Sequence, residues 1–446
     1  MPATDLDNAV VPVRPAAAMP AIAAAPASAA AGPMISAADV DAAAERLSAV
    51  LAATPLQLSR RLSERMAGEV WLKREDQQPV RSYKVRGAYN LIAQLPERDR
   101  AAGLVCASAG NHAQGVAYAC ALLGVTGTIF LPRTTPRQKL DRIAALGGDQ
   151  VRLELFGDGY DDSAAAASQH AERTGATRVP AFDHPATIAG QGTAIREAVG
   201  QLGRVPDLVV VPVGGGGLLA GTLSWLRASY PGVRVVGVEP AGAACLAAAL
   251  KAGRPVDLEA LDGFVDGAAV RRVGDCTFPL IRDAGAEVVA VGEGRVCVEM
   301  LDFYQVDGII TEPAGALAAA ALRDTIFAAP GSTVLCLVSG GNNDVSRYAE
   351  ILERSLVHQG RKHYFLVDFP QEPGALRQFL DEVLGPDDDI TLFEYVKRNN
   401  RETGPALVGI ELGRPEDLAP LMDRMRHATP HIQLLPPDSP LARFLV

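Results

Sequence analysis

The chain has 446 residues, too many for one compact core, so two or three domains are expected. Hydrophobic residues make up 48% and charged residues 21%, an ordinary globular balance, and a formal net charge of -10 without a basic patch argues against a nucleic-acid partner. The six cysteines (Cys106, Cys120, Cys245, Cys276, Cys297 and Cys336) are scattered, without a C-x-x-C pair or a Cys/His cluster, which argues against a disulfide framework or a structural zinc site and favours a reducing cytoplasm with most thiols buried.

In chain order, residues 1–35 form an Ala/Pro-rich stretch that lacks a basic start and is interrupted by Pro20 and Pro26, which reads as a disordered tail and not as a signal peptide. Ser36 with Asp39 forms a capping box ahead of VDAAAERLSAVL. From there to about Leu356 short apolar runs alternate with longer amphipathic segments. Strands are expected at Leu104–Ala107, Thr128–Leu131, Leu208–Val213, Val233–Val238 and Val334–Val338. Helices are expected at Ala113–Leu123, Pro136–Leu146, Tyr160–Thr174 and Leu218–Tyr230. That alternation implies an α/β architecture with parallel sheets. Leu208 to Leu226 has no charge over a membrane-spanning length, but Pro212 and four consecutive glycines near its middle favour strand, loop and helix over a membrane span. After Gln359-Gly360-Arg361-Lys362 a short unit follows with the order βαββαβ, the ferredoxin-like pattern, in which Pro373 suits the first turn of its first helix.

Four segments hold candidate chemistry. Lys84, in RSYKVRGAYN, lies between Tyr83 and Val85 at the start of a predicted helix; an apolar setting disfavours its ammonium, and a neutral amine forms a Schiff base with an aldehyde. Ser108-Ala109-Gly110-Asn111-His112 follows the strand LVCA and opens a helix, where free N–H groups suit an anion such as a carboxylate. Gly214, Gly215, Gly216 and Gly217 join a strand to a helix in the architecture of a phosphate cradle, without the Lys-Ser/Thr of a Walker loop or the spacing of a dinucleotide fingerprint. Ser339, in VLCLVSGGNN, stands at the carboxyl end of a strand, where ligands collect in open α/β sheets. Each has a plain structural reading as well: a surface lysine, a capped turn, a glycine-rich turn, a simple turn. His112 reads better as a half-exposed structural histidine than as a general base.

Together and in this order, the four segments strongly resemble the threonine dehydratases (threonine ammonia-lyases) of the fold-type II pyridoxal-phosphate (PLP) enzymes, over about Ala37 to Val446. AFDHPATIAGQGT (Ala181 to Thr193) and TEPAGA (Thr311 to Ala316) also look like this family, and the C-terminal unit resembles its ACT-like regulatory domain. The resemblance implies a two-subdomain catalytic domain at 36–357, its smaller subdomain at about 86–190, and a regulatory domain at 361–446. Carried over, Lys84 would hold PLP, Asn111 would hydrogen-bond its 3-hydroxyl, Gly214 to Gly217 would bind its phosphate, Ser339 would face the pyridine nitrogen, and the Ser108–His112 turn would hold the substrate carboxylate. Lys84 would then remove the α-proton of threonine as general base, and loss of the β-hydroxyl and hydrolysis would give 2-oxobutanoate and ammonia. The family further implies a cytoplasmic homotetramer regulated by isoleucine or valine; bound cations occur among relatives, but the sequence offers no metal-ligand cluster and no membrane partner is expected.

Two other readings stand beside this one. The same scaffold supports serine dehydration, racemisation or β-replacement, and threonine and serine differ by one methyl, worth roughly 1–3 kcal/mol in a pocket. A non-catalytic amino-acid sensor would keep the C-terminal unit but would have no need of Lys84. A nucleotide-binding dehydrogenase fails on the glycine spacing.

Overall fold

The computed structural model describes residues 22–23, 35–322, 324–397, 400–428, 431–436, 439, 441 and 445. Apart from Ile22–Ala23 and the buried Ile35, the tail expected to be disordered over 1–35 lies outside the described residues. Among the described residues, three sheets organise the chain. Strands β1 (Ile22–Ala23), β2 (Leu56–Leu58) and β3 (Glu69–Arg74) enter a larger sheet. The chain then builds a smaller one from β4 (Leu104–Ala107), β5 (Gly127–Leu131), β6 (Val151–Leu155) and β7 (Thr177–Arg178). It returns to the larger sheet with β8 (Leu208–Pro212), β9 (Arg234–Pro240), β10 (Glu287–Val291) and β11 (Thr333–Val338). The C-terminal sheet is made of β12 (Lys362–Pro370), β13 (Asp389–Tyr395), β14 (Thr403–Glu411) and β15 (Ile432–Leu434).

The larger sheet has the order β1-β10-β9-β8-β11-β3-β2, with a parallel centre and antiparallel edges at β1 and β2. Its central strands read as unbroken apolar runs because both faces are covered. Val210 of β8 and Val334 and Cys336 of β11 pack toward the helices Glu293–Gln305 and Pro313–Ala321. The alternate residues Val209, Val211, Leu335 and Leu337 pack toward Pro185–Leu202 and Gly217–Ser229. The segment that mimicked a membrane span is therefore strand, turn and helix, and among the described residues no helix is long and apolar enough to cross a membrane.

The smaller sheet, β6-β5-β4-β7, is parallel throughout. The C-terminal sheet, β13-β14-β12-β15, is antiparallel and places the first and third strands of the unit side by side at its centre, as in ferredoxin-like folds. Two details differ from expectation. The Ser36–Asp39 capping box is present, but Pro373 falls outside its helix, which begins at Ala375 behind Gly374 at φ 96°. Only a residue without Cβ enters that left-handed conformation cheaply, so Gly374 and not Pro373 sets the start. Strands β3 and β6 were not legible as apolar runs because Glu69, Lys73, Arg74, Arg152 and Glu154 interrupt them, and β10, although apolar over residues 288–291, was not among the expected strands.

Candidate active site

The carboxyl ends of β4, β8 and β11 converge on the start of the helix Lys84–Ile92. The backbone joins Lys84 to β11: Tyr83 donates its N–H to the carbonyl of Ser339 at 3.1 Å, and Ser82 bridges Gly340. From the other side, a Cβ on Gly115 would stand 3.1 Å from the Lys84 carbonyl carbon, so the helix Asn111–Leu123 packs backbone to backbone against the lysine. The Lys84 amine donates to the carbonyl of Ala181 at 3.1 Å and lies 5.3 Å from the centroid of the Tyr83 ring. Desolvation pushes its pKa down to about 8, against the opposing charge of Glu312.

The residue after Ala181 reaches the glycine turn. A Cβ on Gly215 would meet the Phe182 ring at 2.4 Å, and one on Gly217 would meet Phe182 Cβ at 2.9 Å. Gly216 has φ 90° and caps the helix Gly217–Ser229, whose first N–H groups have no partner within the helix. Thr277 anchors the turn by donating its hydroxyl to the Gly215 carbonyl at 2.7 Å. The turn is thus a rigid, Cβ-free wall ending in amide donors and the positive end of a helix dipole, a setting for an anion.

Asn111 has its amide fixed at both ends: Oδ1 accepts from Asn342 Nδ2 at 2.7 Å, and Nδ2 donates to Glu312 Oε1 at 2.6 Å. Ser339 is buried and donates to the Ala314 carbonyl at 3.1 Å. Ser108, Ala109 and Gly110 form the half-buried turn before Asn111, with Ser108 Oγ accepting from Gly110 N–H at 3.2 Å. His112 is fully buried and not half-exposed: its Nε2 sits 2.7 Å from the Val179 carbonyl, and burial together with the nearby Lys84 charge pushes it down to about 4. The helix Asn111–Leu123 turns that side chain inward onto the Val179 carbonyl, so it is a neutral structural histidine.

Residues 47–340 match the family model described as pyridoxal-phosphate dependent enzyme, and residues 353–445 match that of the C-terminal regulatory domain of threonine dehydratase. The L-threonine dehydratase biosynthetic IlvA of Mycobacterium tuberculosis (strain ATCC 25618 / H37Rv) is 60% identical over 410 residues, covering 92% of this chain and 95% of that protein.

The chain belongs to the threonine dehydratase family of pyridoxal-phosphate dependent enzymes.

Its relatives extend to Corynebacterium glutamicum, whose L-threonine dehydratase biosynthetic IlvA is 56% identical over 91% of this chain and 94% of that one. Among solved structures, the processed form of threonine deaminase isoform 2 from Solanum lycopersicum superposes with a TM-score of 0.68 at 34% identity, over 76% of this chain and 98% of that chain. Maize serine racemase superposes with a TM-score of 0.67 at 28% identity, over 73% and 98%. This fold-type II scaffold therefore accompanies more than one reaction, and the site chemistry must discriminate.

The residues present fit the family's cofactor: a neutralisable amine is linked through Ala181–Phe182 to a Cβ-free turn at a helix start, and through the Tyr83–Ser339 backbone hydrogen bond to a strand end with a neutral hydroxyl. Residue-level reading of the sequence missed three participants. Phe182 lay inside the AFDHPATIAGQGT segment, but only the fold shows it packed on the glycines. Asn342 lay in the last motif, and Glu312 in TEPAGA, where neither looked different from an ordinary polar residue. Glu312 is buried, and burial with the charge of Asp266 pushes it up to about 7, against the hydrogen bond from Asn111. A Cβ on Gly340 would stand 2.1 Å from its Oε1, so the first glycine of SGGNN makes room for this carboxylate.

Proposed function

We propose that this chain eliminates water from L-threonine to give 2-oxobutanoate and ammonia, the first step toward isoleucine, under feedback from isoleucine at its C-terminal domain. The observation on which this rests is the desolvated Lys84 amine held beside the four-glycine turn by the two-residue segment Ala181–Phe182. Lys84 would hold the cofactor, the amides at Gly214 to Gly217 its phosphate, Asn111 its 3-oxygen and Ser339 its ring nitrogen. Bound pyridoxal phosphate supplies an electron sink for the substrate's α-carbon.

The chain's own residues then do the following. Lys84, with an amine that is neutral in appreciable fraction near neutral pH, accepts the α-proton at Nζ. The Ser108–Asn111 turn orients the substrate carboxylate with backbone donors at the start of its helix. Ser339 offers a neutral hydroxyl, which does not hold a proton on a ring nitrogen as a carboxylate would, and this favours prompt elimination. His112, buried and neutral, stays out of proton transfer.

The family's architecture supports a cytoplasmic homotetramer with the regulatory domain as amino-acid sensor. A keto-acid assay of the purified yellow protein tests the activity: turnover of threonine well above that of serine is expected, and it disappears in Lys84→Ala while the circular dichroism spectrum is retained. Wild-type-like turnover in that variant overturns the assignment, and a preference for serine turns it into a serine dehydratase.

A further inference from the structure

The amide of Asn111 belongs to a chain of hydrogen bonds whose polarity is set at both ends. At one end is a backbone carbonyl, that of Val80, which accepts from Asn342 Nδ2 at 2.8 Å. A carbonyl only accepts, so Asn342 must present its NH₂ there, and the same NH₂ donates to Asn111 Oδ1 at 2.7 Å. At the other end is the Glu312 carboxylate, which when ionised also only accepts and takes Asn111 Nδ2 at 2.6 Å. Turning Asn111 over would place its NH₂ against the NH₂ of Asn342 and its carbonyl against a carboxylate, with both bonds lost and both contacts repulsive. Asn111 is therefore held in one flip state by the Val80–Asn342 end at any pH, and by Glu312 as well once that carboxyl, pushed up to about 7, is ionised. Its Nδ2 has two hydrogens, one committed to Glu312, which leaves one N–H free to donate.

We propose that Glu312 and Asn342 are positioning residues that lock Asn111 so that it presents an N–H, and never its carbonyl, to the 3-oxygen of the bound cofactor. This rests on the reading that Asn111 faces that oxygen. The consequence is electrostatic: a fixed donor stabilises the oxygen in its anionic form, while a flipped amide would set a carbonyl dipole against it. The packing serves the same end. Gly340 leaves space over Glu312 Oε1, and Gly267, whose added Cβ would lie 3.6 Å from the same oxygen, borders it from another loop. Glu312 is thus buried where its carboxylate reaches Asn111.

The test is a spectrophotometric pH titration of the holoenzyme's cofactor band, with turnover recorded separately. Asn111→Ala removes the donor and is expected to move the titration midpoint upward by about one pH unit, a tenfold change in proton affinity. Glu312→Gln replaces the acceptor-only end with an amide that can turn either way, which loosens one of the two ends while Asn342 keeps the other, and should move the midpoint in the same direction by less. The double variant Asn111→Ala/Glu312→Gln should move it no further than Asn111→Ala alone, because Glu312 acts through Asn111. Asn342→Asp reverses the polarity at the other end and should reproduce the shift, which keeps the test available if Glu312→Gln does not fold. A shift in Asn111→Ala with none in Glu312→Gln or Asn342→Asp, or shifts that add in the double variant, overturns the locking role alone. An unmoved midpoint in Asn111→Ala removes the reading of Asn111 itself, and the inference with it.

Discussion

The Lys84 amine and the Ala181 carbonyl meet at 3.1 Å, and the residue that follows, Phe182, covers Gly215 and Gly217. One peptide unit therefore sets the separation between the amine and the glycine turn. Gly215→Ala should break that arrangement, because its Cβ would stand 2.4 Å from the Phe182 ring. Overpacking of this kind costs about 1–3 kcal/mol. Since the turn and Phe182 can relieve it only by separating, cofactor affinity should fall roughly tenfold or more, since about 1.4 kcal/mol is tenfold in a binding constant. Fluorescence titration of the cofactor-free protein measures this, and unchanged affinity would mean the turn does not grip the cofactor.

Lys84 also predicts a pH dependence of stability in the cofactor-free chain. Desolvation places its folded pKa at about 8, below the ordinary 10.5. Between those values the unfolded chain binds the additional proton, so this group's contribution to stability rises as pH goes from about 8 toward about 10.5. Lys84→Met removes the group. The stability advantage of that variant over wild type, measured by urea unfolding, should be largest below pH 8 and shrink through this window. Parallel curves for the two proteins would contradict the desolvated amine.

Beneath the same helix lies a buried ion cluster. Arg86 donates to both oxygens of Glu75, each at 2.7 Å, and also to Glu197, which in turn pairs with the buried Lys73. Burial by itself would raise Glu75; the Arg86 charge and hydrogen bonds, with help from Lys73 and Thr54, hold it down at about 2. Its contribution is therefore fully present above its ordinary value of 4.5 and is lost as pH falls through about 2. Glu75→Gln leaves Arg86 short of a partner and should destabilise the fold by about 3–5 kcal/mol at neutral pH. Denaturant midpoints compared at pH 7 and pH 3 test both the size and the sign.

Glu353, on the helix Tyr348–His358 that precedes the C-terminal sheet, accepts from the Tyr364 hydroxyl at 2.5 Å and pairs with Lys362, both on β12. This carboxylate is a direct contact between that helix, whose Ile351 lies in the core beside the larger sheet, and the C-terminal sheet. Glu353→Gln should leave threonine turnover without effector within about twofold of wild type and weaken the proposed inhibition by isoleucine by roughly fivefold or more, the low end of ordinary coupling energies. Inhibition curves at fixed threonine measure it, and an unaltered curve would locate the coupling elsewhere.

Much of the architecture was legible because local rules suffice for it. The Ser36 cap, the apolar runs of β4, β8 and β11 and the period of the amphipathic helices need only the residues within each segment. Strand β3 was not legible: Lys73 looks exposed in sequence, yet its amine is buried on Glu197, Gln201 and the Thr54 carbonyl, partners more than a hundred residues away or on another loop. His112 was misjudged for a related reason, since a helix face is buried or exposed only by what packs on it.

The sequence by itself determined the chemistry available: an amine, a run of four glycines, an asparagine and a serine, each at the end of a recognisable local element. Tertiary structure alone decided what those groups can do. Only the convergence of β4, β8 and β11 desolvates Lys84, and only the packing of Gly340 brings Glu312 onto Asn111. The physical reason is that protonation state and amide orientation depend on dielectric and on fixed partners at a few ångströms, and those partners come from segments as far apart as Asn111 and Glu312.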